Sequence, residues 1–278
     1  MEGKDCFSLS NGKNLFLKKG LGWKEPYFKK IIQPLLNNKI PLNAQQVNSS
    51  KNSNCWNIYI EGSLIFIKIF NFRGILDRLH FLKKSRSQKS WEGSMLLLKN
   101  GFATPDLIAQ GDIVKGFWVG KTFLITKGIN ESFNVYDYIN TFFKGQSGET
   151  IQKKYGFVMA MGRVIGRLHK TGILHGDLRP GNILITHFDR EPVFHFIDNE
   201  RNKYYPKGIP QELREKNLIQ INMIVSPLIT FTDRLRFFKA YLNENPELKP
   251  HAKDLISKIF LRTRKRLQKK IPEIWGNV

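Results

Sequence analysis

Apolar and polar positions alternate most clearly between Val47 and Phe70. A polar run at residues 49–54 separates a first apolar stretch from residues 56–60, and Glu61-Gly62 separates that run from residues 64–70. Period-two patterning interrupted by turn residues predicts strands joined by a loop and a tight turn. Residues 107–110, 117–119 and 123–126 read the same way and would close an antiparallel sheet. Between 85 and 100 the period changes: Trp91, Met95 and Leu98 recur at helical spacing, and Gly101 is placed to end the helix. A longer buried helix is expected over 155–169, where Phe157, Met161, Val164, Ile165 and Leu168 share one face. Two short apolar runs, 183–185 and 193–197, flank a polar turn and predict a hairpin.

Between that helix and that hairpin lies HGDLRPGN, residues 175–182, and the hairpin ends in FHFIDNER, residues 194–201. Alone, a Pro-Gly pair in polar surroundings is only a turn. Here an acid, an amide five residues later, a hairpin and a second acid follow in order. Phosphoryl transfer needs a carboxylate to accept the proton of the attacking hydroxyl and oxygen ligands for a metal ion. Asp177 fits the first role, and Asn182 and Asp198 are hard oxygen ligands of the kind Mg²⁺ takes. Arg179 can neutralise charge on the transferring group. His175 is expected to brace the loop, and His169 and His195 to be structural.

These residues resemble the lipopolysaccharide kinase family, the Kdo and heptose kinases of Gram-negative bacteria, a branch of the protein-kinase-like fold. SWEGSMLLLKNGFATPDLIAQG (90–111) and TDRLRFFKAYL (232–242) are similar to stretches of the same family, so the likeness runs from about Val47 to Leu242. The resemblance implies an α+β, two-lobed protein-kinase-like fold with an antiparallel-sheet N-lobe and a mainly helical C-lobe. Its divisions would be an N-terminal extension over 1–44 packed on or near the N-lobe, the N-lobe over 45–129, and the C-lobe over 130–278. It also implies ATP and Mg²⁺ as cofactors and a sugar hydroxyl of the lipopolysaccharide core, or of a lipid A precursor, as acceptor. Lys68, an ammonium inside IFIKIF that is expensive to bury unpaired, is similar to the kinase lysine that holds the α and β phosphates. Glu92 would be its helix partner. The bland alternative for Lys68 is a snorkelling residue on an edge strand. Residues 126–129, from Thr126 to Ile129, would be the hinge whose backbone meets adenine.

Two departures stand out. Protein kinases cover the phosphates with GxGxxG, whereas this chain has NSSKNSN, so the backbone NH groups and side chains of Ser49, Ser50 and Lys51 would have that task. Asn199 and Glu200 follow Asp198 where a DFG glycine would stand, and no APE motif follows, which favours a non-protein acceptor. Arg234 and Arg236 either bind an acceptor phosphate bidentately or face solvent. Glu200 and Arg201 either touch the acceptor or pair with each other. An atypical protein or small-molecule kinase, and a pseudokinase scaffold, are the alternative readings.

Composition narrows the partner. Forty-five Lys and Arg against 23 Asp and Glu give +22, which calls for a polyanion: phosphorylated glycolipid, anionic membrane surface or nucleic acid. No nucleic-acid recognition signature accompanies the charge. LRTRKRLQKK (261–270) and the interleaved rings and cations of the first 44 residues suit a lipid headgroup layer. The N-terminus lacks an apolar signal segment, the apolar runs are too short to span a bilayer, and Cys6 and Cys55 offer no metal or redox spacing. The expectation is therefore a cytoplasmic enzyme, peripheral at the inner face of the inner membrane. Sequence leaves its oligomeric state open.

Overall fold

A computed structural model of the chain describes residues 4–9, 12–47, 52–72, 74, 78, 84–145, 147–187 and 191–270. Its contacts divide into two compact units: residues 1–95 with 105–130, and residues 96–104 with 131–278.

The first unit is built on a seven-stranded antiparallel sheet. Its elements are β1 (Lys4–Leu9), β2 (Lys13–Lys19), a π-helical turn (Phe28–Ile32) running into α1 (Gln33–Leu36), β3 (Gln45–Val47), β4 (Ser53–Ile60), β5 (Ser63–Phe70), α2 (Arg86–Lys99), β6 (Leu107–Lys115) and β7 (Trp118–Lys127). The spatial order is β1-β2-β6-β7-β5-β4-β3. Alternation sends Ile65 and Ile67 of β5, Leu15 and Leu17 of β2, and Ile125 of β7 to one face, where Tyr27, Ile31, Ile32 and Leu35 cover them. Phe70, Leu107 and Leu124 point to the other face and bury Trp91 of α2. The interleaved cations of the first 44 residues thus alternate with core residues of β2 and of the helical cover.

The α2 helix begins with a reciprocal cap. Gln88 N–H donates to Ser85 Oγ (3.2 Å), and Ser85 N–H donates to Gln88 Oε1 (3.1 Å). It ends at Gly101, whose φ of +77° suits glycine and lets Phe102 N–H reach Leu97 O (3.0 Å). Strands β6 and β7 run longer than their apolar patterning suggests because their polar residues are buried and satisfy one another. The carboxylate of Asp112, fully buried, accepts from Ser87 Oγ, Gln110 Nε2 and Thr122 Oγ1.

The second unit is mainly helical. It contains β8 (Phe133–Asn134), α3 (Val135–Phe142), α4 (Gly148–Lys170), β9 (Ile173–Leu174), β10 (Ile183–Thr186), β11 (Val193–Phe196), β12 (Lys203–Tyr204), α5 (Gln211–Asn222), α6 (Phe231–Glu244) and α7 (Ala252–Lys270). Helices α4 and α6 lie close because α4 presents glycines to α6. A Cβ on Gly162 would come within 2.4 Å of Phe237 O, and one on Gly166 within 2.7 Å of Glu244 Cβ. Residues 261–270 are the second half of α7 and not a free tail: Leu255, Ile259, Thr263 and Leu267 are buried at four-residue spacing. Glu215 of α5, wholly buried, binds Lys258 Nζ (2.7 Å) and Arg262 Nη1 (3.0 Å) of α7. Among the described residues no helix is long and apolar enough to cross a membrane.

Candidate active site

The segment carrying Asp177 starts where α4 ends. Gly172, at φ +77°, turns the chain into β9, which pairs with β12. His175 follows, fully buried. Its Nε2 faces two oxygens, Ile197 O and Asn199 Oδ1 (both 3.2 Å), and its Nδ1 accepts Asp177 N–H (3.2 Å). This pattern requires the proton on Nε2. Burial lowers the pKa of His175, against the opposing pull of Asp198, its hydrogen bonds and Asp177. A neutral, doubly anchored ring braces the loop. Gly176 lies against Arg201 so closely that a Cβ there would come within 2.0 Å of the arginine Cβ. Any larger residue would separate the loop from the 3₁₀ turn Asn199–Arg201.

Asp177 is partly exposed, and its Oδ1 accepts from Arg179 Nε (2.8 Å) and Gln220 Nε2 (3.1 Å). Asn182 donates Nδ2 to Asp177 O (2.8 Å), which leaves its Oδ1 as the atom able to ligate a metal. Ile197 N–H donates to Asn182 O (3.0 Å), so the register of β10 and β11 sets Asp198 beside Asn182. Asp198 is left-handed (φ 61°, ψ 46°), a conformation that Asp tolerates better than most residues. One carboxylate and one amide oxygen suit Mg²⁺, which takes few protein ligands and fills its shell with waters and phosphate oxygens. Among the described residues no group of three or more His, Cys, Asp or Glu assembles as a metal site.

Behind the loop runs a buried polar chain that sequence reasoning did not find. Asn217 Nδ2 donates to His175 O (2.8 Å) and Gln220 Oε1 (3.0 Å), and Asn217 Oδ1 meets His169 Nε2 (3.3 Å). His169 Nδ1 meets Tyr241 OH (2.9 Å), which accepts from Arg214 Nη1 (3.3 Å). Burial pushes His169 down to about 3 and Tyr241 up to about 12. Asn199, where protein kinases depart from this chain, is a structural hub: its Nδ2 donates to Thr104 Oγ1 and Phe196 O, and its Oδ1 accepts from His175 and Asn202.

The family described as Lipopolysaccharide kinase (Kdo/WaaP) matches residues 75–241. The chain belongs to that family. Membership makes it a phosphotransferase of the kinase class. The structure of WaaP in complex with acyl carrier protein is similar to it, with TM-score 0.62 and 19% identity, covering 87% of this chain and 97% of that one. At that identity the likeness concerns the fold, which is protein-kinase-like. The PknI kinase domain of Mycobacterium tuberculosis is more distant, with TM-score 0.40 and 11% identity over 64% of this chain and 71% of that one. Among curated proteins none matches the sequence significantly.

In this family member the expected nucleotide residues that are described lie in the first unit. Lys68 is half-buried on β5, which is paired on both sides, so the edge-strand alternative is excluded. Its ammonium lies 5.2 Å from the centroid of the Phe70 ring. Glu92 is exposed on α2 and pairs with Lys84 (2.8 Å), not with Lys68 as expected, because Lys84, two residues before the helix, has its charge in reach. Thr126 lies inside β7, between Phe66 and Leu107, and Lys127 N–H and Gly128 N–H donate to Asp106 O and Leu64 O. The sheet therefore claims most of the expected hinge, and half-buried Ile129 is the first residue past it. Ser49, Ser50 and Lys51 lie outside the described residues.

The two arginines of TDRLRFF hold the fold. Arg234 donates to Asn222 O (2.6 Å), Asn222 Oδ1 (2.7 Å) and Ile224 O, closing the end of α5. Arg236 pairs with Asp233 (3.1 Å) and stacks 3.7 Å from the centroid of the Tyr155 ring.

Proposed function

We propose that the chain uses ATP and Mg²⁺ to phosphorylate a sugar hydroxyl, of Kdo or heptose, on the inner core of lipopolysaccharide or on a lipid A precursor. The observation that carries this reading is the anchoring of Asp177. With Oδ1 engaged by Arg179 and Gln220, Oδ2 is the oxygen that takes the proton as the acceptor oxygen bonds to phosphorus and the bond to ADP breaks. Arg179 restrains the carboxylate and presents its remaining N–H groups to the transferring phosphoryl. Asn182 Oδ1 and Asp198 would hold Mg²⁺. Bound there, the ion supplies charge neutralisation on the phosphate oxygens.

Lys68 is assigned to the nucleotide phosphates with Glu92 as its partner, Ser49, Ser50 and Lys51 to covering them, and the Ile129 backbone, past Thr126, to the adenine edge. For Glu92 to reach Lys68 it must leave Lys84. That exposed pair is worth only about 0–1 kcal/mol, so the exchange is energetically easy. Exposed Lys265 and Lys269 on α7 suit an anionic leaflet, consistent with peripheral work at the inner membrane from the cytoplasmic side.

The test is transfer of γ-labelled phosphate from ATP to extracted lipopolysaccharide with Mg²⁺. Asp177→Ala should lower turnover by roughly 10²–10⁴-fold while ATP still binds. Equal labelling by both proteins would overturn Asp177 as the base, and no labelling of glycolipid by wild type that binds ATP would overturn the acceptor.

A further inference from the structure

The helical cover on the first unit's sheet stops at Leu36, and the chain turns away through Asn38, whose φ is +56°. Beyond that edge lies a cavity of about 530 Å³, within the range of small-molecule sites. Pairing fixes its face. Trp56 stands opposite Ile67, Asn54 opposite Ile69 and Lys121 opposite Ile113, all on the side of the sheet that α1 covers. Lys68 alternates to the other side. The cavity reaches the end of β5, where Phe70, whose ring lies 5.2 Å from the Lys68 ammonium, also lines it.

Its lining combines three chemistries. Trp56, half-buried, offers an aromatic surface. Asn38, Asn54 and Asn71 offer amides, and Lys39, Arg78 and Lys121 offer positive charge; among the described residues no Asp or Glu lines it. Lys121 is built into the wall. Its Nζ donates to Leu35 O (2.9 Å) and Asn38 Oδ1 (3.1 Å), leaving a third N–H. Burial, then the charge of Lys13, lowers its pKa, a penalty that a bound anion would relieve. A purely apolar ligand would make no use of the three cations, nor of the amides, of which Asn54 Nδ2 already donates to Asn71 Oδ1 (3.2 Å). A bare anion would leave Trp56 and the apolar floor, Leu35, Pro41 and Ile69, unused.

We propose that this cavity is a binding site for an anionic sugar, one carrying a phosphate or carboxylate, whose ring lies on Trp56, whose hydroxyls meet the amides and whose acid meets Lys39, Arg78 and Lys121. The choice of a sugar over other ring-bearing anions rests on the function proposed above; the cavity and its charge do not. Two sources share this chemistry: a sugar of the glycolipid acceptor held away from the reacting hydroxyl, and a free sugar phosphate.

Calorimetric titration of the full chain separates them. The probes are deacylated inner-core oligosaccharide, glucose 6-phosphate, glucose, inorganic phosphate and ATP. They are titrated into wild type, Trp56→Ala, the double variant Lys39→Gln/Arg78→Gln and Asp177→Ala. Lys39 and Arg78 are exposed, so the double variant keeps the fold. The expected result is sugar-anion binding that weakens at least about tenfold in the first two variants, stays unchanged in Asp177→Ala, and is absent for glucose. Oligosaccharide binding much more tightly than glucose 6-phosphate supports the glycolipid source, and equal binding supports the free sugar phosphate. Inorganic phosphate binding as tightly as either sugar anion, ATP binding lost in the same two variants, or sugar binding indifferent to them would each overturn the proposal. Binding is read without turnover, so failed phosphate transfer with intact sugar binding would fall on the proposed function alone.

Discussion

Asp177, Asn182 and Asp198 were legible because their relation is local: a five-residue spacing and a hairpin determine it. Gln220 was not. It lies 43 residues from Asp177, and nothing in an amide on a helix says which carboxylate it will meet. Its Nε2 is one of two donors to Asp177 Oδ1, so if Asp177 is the base, as proposed, Gln220 is a positioning residue. Gln220→Leu keeps the bulk and removes the donor. The expected cost is about 1 kcal/mol in stability and roughly tenfold or more in kcat, with KM for ATP unchanged. Steady-state kinetics decide this, since a merely structural role would leave kcat at its wild-type value once the protein is folded. Arg234 and Arg236 teach the converse lesson. Two arginines two residues apart suggested an anion site, but their partners are carbonyls, a carboxylate and a tyrosine ring of the same unit.

Helices and strands with one apolar stripe were readable; those that bury polar groups were not. The α5 helix hides Glu215, Asn217, Gln220 and Asn222 beside Leu218 and Ile221, so its sequence shows no clean face. Likewise β6 carries Gln110 and Asp112 inward, and its readable pattern stops at residue 110 although the strand continues to Lys115. The tie between α5 and α7 is asymmetric, and that asymmetry is testable. Glu215 is wholly buried, whereas Lys258 and Arg262 are 43% and 53% exposed. Removing the carboxylate releases two cations that water can solvate; removing both cations strands a buried charge. Lys258→Met/Arg262→Met should therefore destabilise by about 3–5 kcal/mol, clearly more than Glu215→Gln. Urea denaturation of the two variants checks the order, and equal losses would contradict it.

At the scale of the whole molecule, the two buried histidines link stability to pH. His169 has a folded pKa near 3 against an ordinary value of 6.5, and His175 is lowered in the same direction. Between those values the unfolded chain binds protons that the folded chain refuses, so stability is complete above about pH 6.5 and falls as pH drops toward 3. His169 contributes a slope of about 1.4 kcal/mol per pH unit across that window, and His175 adds to the decline in the same direction. Denaturant titrations from pH 7 to pH 4 should show the decline, and His169→Gln should remove about one proton's worth of it; an unchanged slope would mean that His169 is not excluded from protonation. The structure that supports Asp177 from behind, through Gln220, Asn217, His169 and Tyr241, consists of amides, a phenol and an uncharged imidazole. Neutral hydrogen bonds are little affected by mobile ions, whereas the attraction of a +22 chain for a polyanion is strongly screened by them. Ionic strength can therefore govern how firmly this chain holds a polyanion, and can loosen the half-exposed Arg179 pair, while leaving the neutral support behind Asp177 untouched.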